Sequence, residues 1–318
     1  MIALAWRQHR AQLLGALAIL ALLGGYLAFT KQQMTADLSS LGLTHCLAAH
    51  GDCSGASGVF LDRHGQALTV LGWLNLLPML AGVFLGAPLI ARETEQGTHR
   101  LAWTQATSRG RWFTVKLLLL AATTVAVSVA LTALIGWWFH PLAQLAGAGY
   151  SSDSRMSPNV FDFSGVLPIG YTLYAFALGV AAGALLRRTI PAMALSVIGY
   201  LALRFSLQDL RGHLVSPVTT TGPILTTKPF HGAWVLSTSY TNHAGQPVGY
   251  GTLITTCPNN KGSALDASCL TAKGFHLVQT YQPDSHFWAL QGTETGIYLT
   301  AAIALLGAAA WWTTRHLS

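Results

Sequence analysis

Four residues in the first polar stretch, His45, Cys46, His50 and Cys53, belong to the types that hold zinc or copper, and two more cysteines, Cys257 and Cys269, lie in a late polar stretch. Two chemistries are open to them. Mixed imidazole and thiolate donors suit a borderline-soft metal, but the spacing matches no strong zinc pattern. Two intra-loop disulfides, Cys46 with Cys53 and Cys257 with Cys269, are the natural reading for cysteines in an oxidising compartment. The catalytic motifs are missing elsewhere: there is no GxSxG, no HExxH, and no Ser/His or paired-Asp arrangement on facing helices. Glu294 stands alone at the outer end of the last apolar segment. No GxxxxGK[ST] loop occurs, so the chain does not bind ATP in the usual way by itself.

The stretch with the densest local signal is Arg92 to Trp112, RETEQGTHRLAWTQATSRGRW, a polar and basic island between two long apolar runs. Arg92, Glu93 and Glu95 end the preceding helix, Gly97 lets the backbone turn, and Thr98 is placed to N-cap a short helix. Ser108, Arg109 and Gly110 then break it before the next apolar run. A short helix joined to two rigid spans is either a lever for a cytoplasmic partner or an ordinary amphipathic loop.

The elements that position these residues are membrane spans. Of 318 residues, 52% are hydrophobic and only 9% charged, against about 25% charged in a soluble domain. The fold class expected is an all-α polytopic membrane protein with six transmembrane helices and a small β-containing cap outside. The spans are placed at 13–29, 67–91, 113–139, 164–186, 190–207 and 287–312. Gly82 and Gly86 in the second span, and Gly179 and Gly183 in the fourth, have the spacing that lets helices approach closely, within one subunit or between two. Lys116 and Arg204 are expected to snorkel toward the nearest surface. Residues 31–66, 140–163 and 209–285 are read as polar loops, the last with strand-like alternation at 234–240 and 250–256.

Charge sets the expected orientation. Arg7, Arg10, Arg92, Arg100, Arg109, Arg111, Lys116, Arg187, Arg188 and Arg315 fall on short segments of one side, which the positive-inside rule makes the cytoplasm, with both termini inside. The net charge of +7 follows from this dispersed topology signal and does not point to nucleic acid. The division expected is a cytoplasmic interfacial helix at 1–12, five spans with the island at 13–208, an extracytoplasmic cap at 209–286, and the sixth span with a cytoplasmic tail at 287–318. A cleaved signal peptide is not expected, because no small-residue cleavage site follows the first span.

The Glu-x-Glu-x-Gly-Thr turn at Glu93, Glu95, Gly97 and Thr98, set between spans two and three of six, resembles the permease subunit of ABC type 2 exporters. WRQHR at Trp6 to Arg10, ARETEQGTHRLAWTQ at Ala91 to Gln105, RRTIPAM at Arg187 to Met193 and FWxLQxxETGIYL from Phe287 to Leu299 resemble an actinobacterial group of them. The resemblance covers nearly the whole chain. It implies a non-catalytic subunit of the bacterial plasma membrane that dimerises with a second permease copy and works with a separate ABC ATP-binding subunit. ATP and Mg are bound by that partner, and this chain holds no cofactor. The coupling segment implied is Arg92, Glu93, Glu95, Gly97, Thr98, His99, Arg100, Leu101 and Trp103, with Glu93 and Arg100 as charge partners for the ATPase. The cargo path implied runs between copies along spans two and five, for a hydrophobic or amphipathic small molecule moved outward. The alternative, from another class, is a non-transporting immunity or sensor protein whose cap binds a ligand or metal.

Overall fold

A computed structural model describes residues 2–66, 72–95, 109–149, 154–223, 232–258 and 265–316. Six helices in it are long and apolar enough to cross a membrane: Leu14–Ser40, Gly72–Glu95, Thr114–Gly147, Leu167–Leu186, Thr189–His213 and Asp284–Thr313, called spans 1 to 6. A small antiparallel sheet lies between spans 5 and 6. The architecture is therefore all-α and polytopic with one β-containing cap.

Span 4 is the hub. It packs against spans 2, 3, 5 and 6, while span 1 packs chiefly on span 3. The share of each apolar window buried inside the protein, 67% for span 4 and 6% for span 1, records the same order. Small residues make this centre. A Cβ on Gly179 would lie 2.7 Å from the Ala87 amide nitrogen and against the Gly82 carbonyl, and one on Gly86 would lie 3.1 Å from the Gly179 Cα. A Cβ on Gly183 would sit 2.5 Å from the Ala87 carbonyl oxygen. The two glycine pairs thus face each other inside one subunit and bring spans 2 and 4 into backbone contact, where lipid supplies no hydrophobic drive. Span 2 carries a π-helical stretch at Gly82–Gly86, directly at this contact.

Two of the stretches read as loops are helical. The first helix, Ile2–Ser40, runs without a break past Phe29, and Leu43–Ala48 and Ser54–His64 follow it. Leu27, Met34, Leu38, Leu43 and Phe60 share one core with Leu131, Ile135 and Trp138 of the third span, which itself continues to Gly147. Polarity misled because the helix is polar on its free face only. Lys31 donates to the Trp137 carbonyl at 2.8 Å, and the Trp138 indole donates to Thr30 at 2.9 Å. Asp37 pairs with His64 at 2.9 Å and Arg63 at 3.4 Å.

In the cap, β1 (Val218–Pro223), β2 (Trp234–Thr241), β3 (Pro247–Val248) and β4 (His276–Gln282) form a sheet ordered β1-β4-β2-β3, with β4 paired to both β1 and β2. The expected strand at 234–240 is present, whereas Tyr250–Thr256 is a helix. Its reason is burial at helical spacing: Leu253 and Cys257 are buried together against Leu270. Cys257 is disulfide-bonded to Cys269 and Cys46 to Cys53, so the bridge rather than the metal accounts for the thiols of the first loop. Asp266 caps the short helix bearing Cys269. Hydrogen bonds from the Ser268 hydroxyl and the Cys269 and Ser268 amides hold its carboxyl below the usual range.

Backbone contact leaves no room for a methyl group at span 4. Gly179→Ala is expected to destabilise the protein by about 1–3 kcal/mol through overpacking. Gly136→Ala, where a Cβ meets nothing within 4 Å, should be neutral or stabilising. Thermal unfolding of both variants in detergent checks this; equal shifts would contradict the packing argument.

Candidate functional site

Two polar constructions lie at opposite ends of the bundle, with a cavity between them. The end carrying the sheet is the cap end, and the end from which residues 96–108 depart is the island end.

At the cap end four charges are buried together: Asp162 after the short helix Pro158–Phe161, Arg204 in span 5, Arg211 at its end, and Glu294 in span 6. Arg211 Nε donates to Glu294 Oε2 at 2.7 Å, and its Nη2 donates to Asp162 Oδ1 at 2.6 Å and to the Tyr171 hydroxyl at 2.8 Å. Arg204 pairs with the other Asp162 oxygen and stacks on the Tyr171 ring at 4.6 Å. The Tyr171 hydroxyl, within 3.1 Å of Asp162 and 3.0 Å of Glu294, gives its one proton to this same knot. Two cations and two anions cancel, the arrangement that lets buried charges persist.

This overturns two expectations. Arg204 does not snorkel and Glu294 is not alone; each is held by a partner far away in sequence, and a partner brought in by folding cannot be read from hydropathy. A signal was present in span 6 nonetheless. Gln291, Glu294 and Tyr298 recur at helical spacing within the FWxLQxxETGIYL segment and are all buried facing span 4. Gln291 Oε1 accepts the Leu167 and Val166 amides at 3.0 and 3.2 Å, closing the start of span 4, while its Nε2 donates to the Phe161 carbonyl at 3.1 Å. Gln282, at the end of β4, donates to the Gly212 and Val215 carbonyls at 2.9 and 2.6 Å and so fastens the sheet to the end of span 5.

At the island end three of the expected coupling residues are described, Arg92, Glu93 and Glu95. Gly97, Thr98, His99, Arg100, Leu101 and Trp103 lie outside the described residues. Glu93 forms an ion pair with Lys116 of span 3. Lys116 therefore turns inward and is buried instead of snorkelling, its ammonium paired with a carboxylate of the neighbouring helix. Glu95 Oε2 accepts the Thr189 hydroxyl at 2.8 Å and its amide at 3.3 Å, so it caps the first turn of span 5 with a negative charge at the positive end of the helix. Thr94 lies 3.5 Å from the Arg187 carbonyl in the two-residue turn between spans 4 and 5, where Arg187 is left-handed with φ 54°. The last turn of span 2 thereby touches spans 3, 4 and 5.

Between the two ends lies a cavity of about 740 Å³ bounded mainly by spans 1, 2 and 3. Its walls are largely apolar, with Leu20, Leu23, Phe84 and Leu85 among them. Asp162 and Tyr171 border it toward the cap, and Arg92 and Glu95 toward the island. Among the described residues no group of His, Cys, Asp and Glu could hold a metal ion.

The knot predicts non-additive mutants. Arg211→Met and Glu294→Leu should each cost about 3–5 kcal/mol, because each strands a buried charge. The double variant should cost less than the two losses combined, since each change relieves the other's orphan. Thermal unfolding in detergent reads the cycle, and strict additivity would contradict the pairing.

Comparison with curated proteins and with solved structures finds no match. A model of the family described as ABC-2 membrane transporter related matches residues 17–211, the greater part of the chain. That match spans the five helices preceding the cap, the hub, the glycine contact and the island. The chain belongs to the ABC-2 membrane transporter related family and is a multi-pass membrane protein, the permease component of an ABC transporter.

Proposed function

We propose that the chain is the membrane subunit of an ATP-driven exporter, working as a homodimer with two copies of a separate ATP-binding subunit. In this reading it is not itself an enzyme; ATP and Mg reside on the partner, and the cargo is a hydrophobic or amphipathic small molecule moved outward between the copies. Residues 92–103 form the coupling segment, with Glu93, Gly97 and Arg100 among the groups that meet the ATPase.

The observation that carries the reading is the contact set at the last turn of span 2. A displacement of the island reaches Arg92 to Glu95 first, and from there it has rigid routes outward. Glu95 carries it to the start of span 5 and Glu93 carries it to span 3. Backbone contact through Gly86 and Gly179 carries it to span 4. A push on the cytoplasmic segment thus moves four spans together, as alternating access requires. The exposed apolar side chains Ile190, Ile198 and Phe205 on span 5 support a face covered by lipid or by the second copy.

Co-expression with an ABC ATPase, whose gene is expected beside this one, and purification through a tag on this chain, tests the assignment. The expected result is a complex whose ATP hydrolysis in lipid loses its dependence on the permease in Glu93→Ala and Gly97→Pro. Failure of any ATPase to follow the chain would reject it. Within that complex, Glu95→Gln and Thr189→Val are expected to lower ATP-driven transport into inside-out vesicles by about tenfold, the equivalent of one hydrogen bond to a charged group, at unchanged membrane abundance.

A further inference from the structure

We propose that the cavity between spans 1, 2 and 3 is a binding site, one in each copy, for a molecule with an apolar body and a cationic, hydrogen-bond-donating head directed toward the cap. The inference rests on the permease reading only in calling that ligand cargo; the binding itself needs neither ATP nor a partner.

Size comes first. About 740 Å³ lies within the range of roughly 300–1,000 Å³ that encloses drug-sized ligands. The composition of the wall then divides along the bundle axis. Leu20, Phe84, Leu85, Pro88 and Met193 make an apolar stretch broken by Thr123 and Thr124. Arg92, Glu95 and Thr189 line the island mouth, and Asn75, Ser128, Thr132, Asp162 and Thr172 line the part nearer the cap beside Leu77, Leu131 and Phe163. A ligand with two matching ends therefore has one orientation.

The hydrogen-bond inventory selects the head group. Thr132 donates its proton to the Ser128 carbonyl at 2.9 Å, Thr124 to the Leu120 carbonyl at 2.7 Å, and Thr123 to the Leu119 carbonyl at 2.9 Å. Thr172 has the Pro168 carbonyl and, at 3.0 Å, the Ser128 hydroxyl oxygen as acceptors for its one proton. A hydroxyl whose proton is spent keeps only lone pairs, so these oxygens accept and do not donate. Asp162 borders the same wall with its carboxylate almost fully buried against Arg204 and Arg211, which do not line the cavity. The knot, neutral as a whole, turns its negative pole to the cavity. An ammonium head meets these acceptors and the negative pole of the knot, whereas a carboxylate head would depend on the Ser128 hydroxyl and the Asn75 amide for donors. The island mouth, with Arg92 and Glu95, offers charges of both signs and sets no comparable preference.

The test uses the full chain in lipid nanodiscs and two fluorescent probes of equal length, 12-(dansylamino)dodecylamine and 12-(dansylamino)dodecanoic acid, with empty nanodiscs subtracted. The amine is expected to bind saturably and at least tenfold more tightly than the acid. Thr132→Val and Thr172→Val, which keep side-chain shape and remove an acceptor, should each weaken the amine severalfold and leave the acid unchanged. Asp162→Asn should weaken it further, and because Asp162 also belongs to the ion network, the threonine variants decide if that protein does not fold. Equal binding of the two probes, absence of saturable binding, or an amine affinity indifferent to both threonine changes would overturn the site. Loss of the ATPase in co-purification would reject the exporter and leave a positive binding result standing, so the two failures are separate.

Discussion

A bilayer gives helices no hydrophobic reason to associate, and everything in this structure depends on how the chain meets that constraint. Two means are used on the same hub. Where spans 2 and 4 cross, glycines at 82, 86, 179 and 183 remove the side chains and let backbone meet backbone. Where spans 4, 5 and 6 meet under the cap, four buried charges and the Tyr171 hydroxyl replace water with one another. Dispersion at short range holds one place and paired charge the other, and both converge on span 4.

The two ends of the bundle then acquire different characters. The cap end is cross-tied by the knot, by Gln291 closing the start of span 4 and by Gln282 fastening the sheet. At the island end, among the described residues, the last turn of span 2 meets span 3 through Glu93, the turn after span 4 through Thr94 and the start of span 5 through Glu95. In the proposed exporter, force enters at the island end and access changes along the length of the bundle, with the cross-tied cap end at the far side. Neutrality of the knot matters here, since a net buried charge would repel or trap any ligand approaching the cap.

Much of this was legible in the residues. Six apolar runs, the small-residue spacing, the bridge between Cys257 and Cys269 and the strand at Trp234 to Thr241 all follow from local pattern, because length, spacing and alternation are local properties. The knot was not, since Asp162, Arg204, Arg211 and Glu294 lie up to 132 residues apart in numbering and each looks like a surface charge on its own segment. Hydropathy assigned Arg204 to the interface on its own merits, and only the fold supplies the carboxylates that hold it inside. The helix at 31–40 was missed for a related reason, since a helix with one wet face reads as a polar loop until a partner defines its buried face; 250–256 was read as a strand from its alternation, while Leu253 and Cys257 are buried at helical spacing. Residues 96–108, the clearest motif in the sequence, lie outside the described structure, so their part in coupling is argued from the residues on either side of them.

The central claim is that spans 2 and 5, clamped to span 4, move as one body when nucleotide acts on the complex. Spin labels at Phe84 and Ile198, both exposed on those spans, test it by pulsed dipolar spectroscopy in the nucleotide-free and ATP-trapped states. The account predicts an unchanged Phe84 to Ile198 distance within a copy, with the distance between the two Ile198 positions of the dimer shifting by several ångströms, on the order of other domain rearrangements. A changing distance within the copy, with the copies fixed relative to one another, would contradict it.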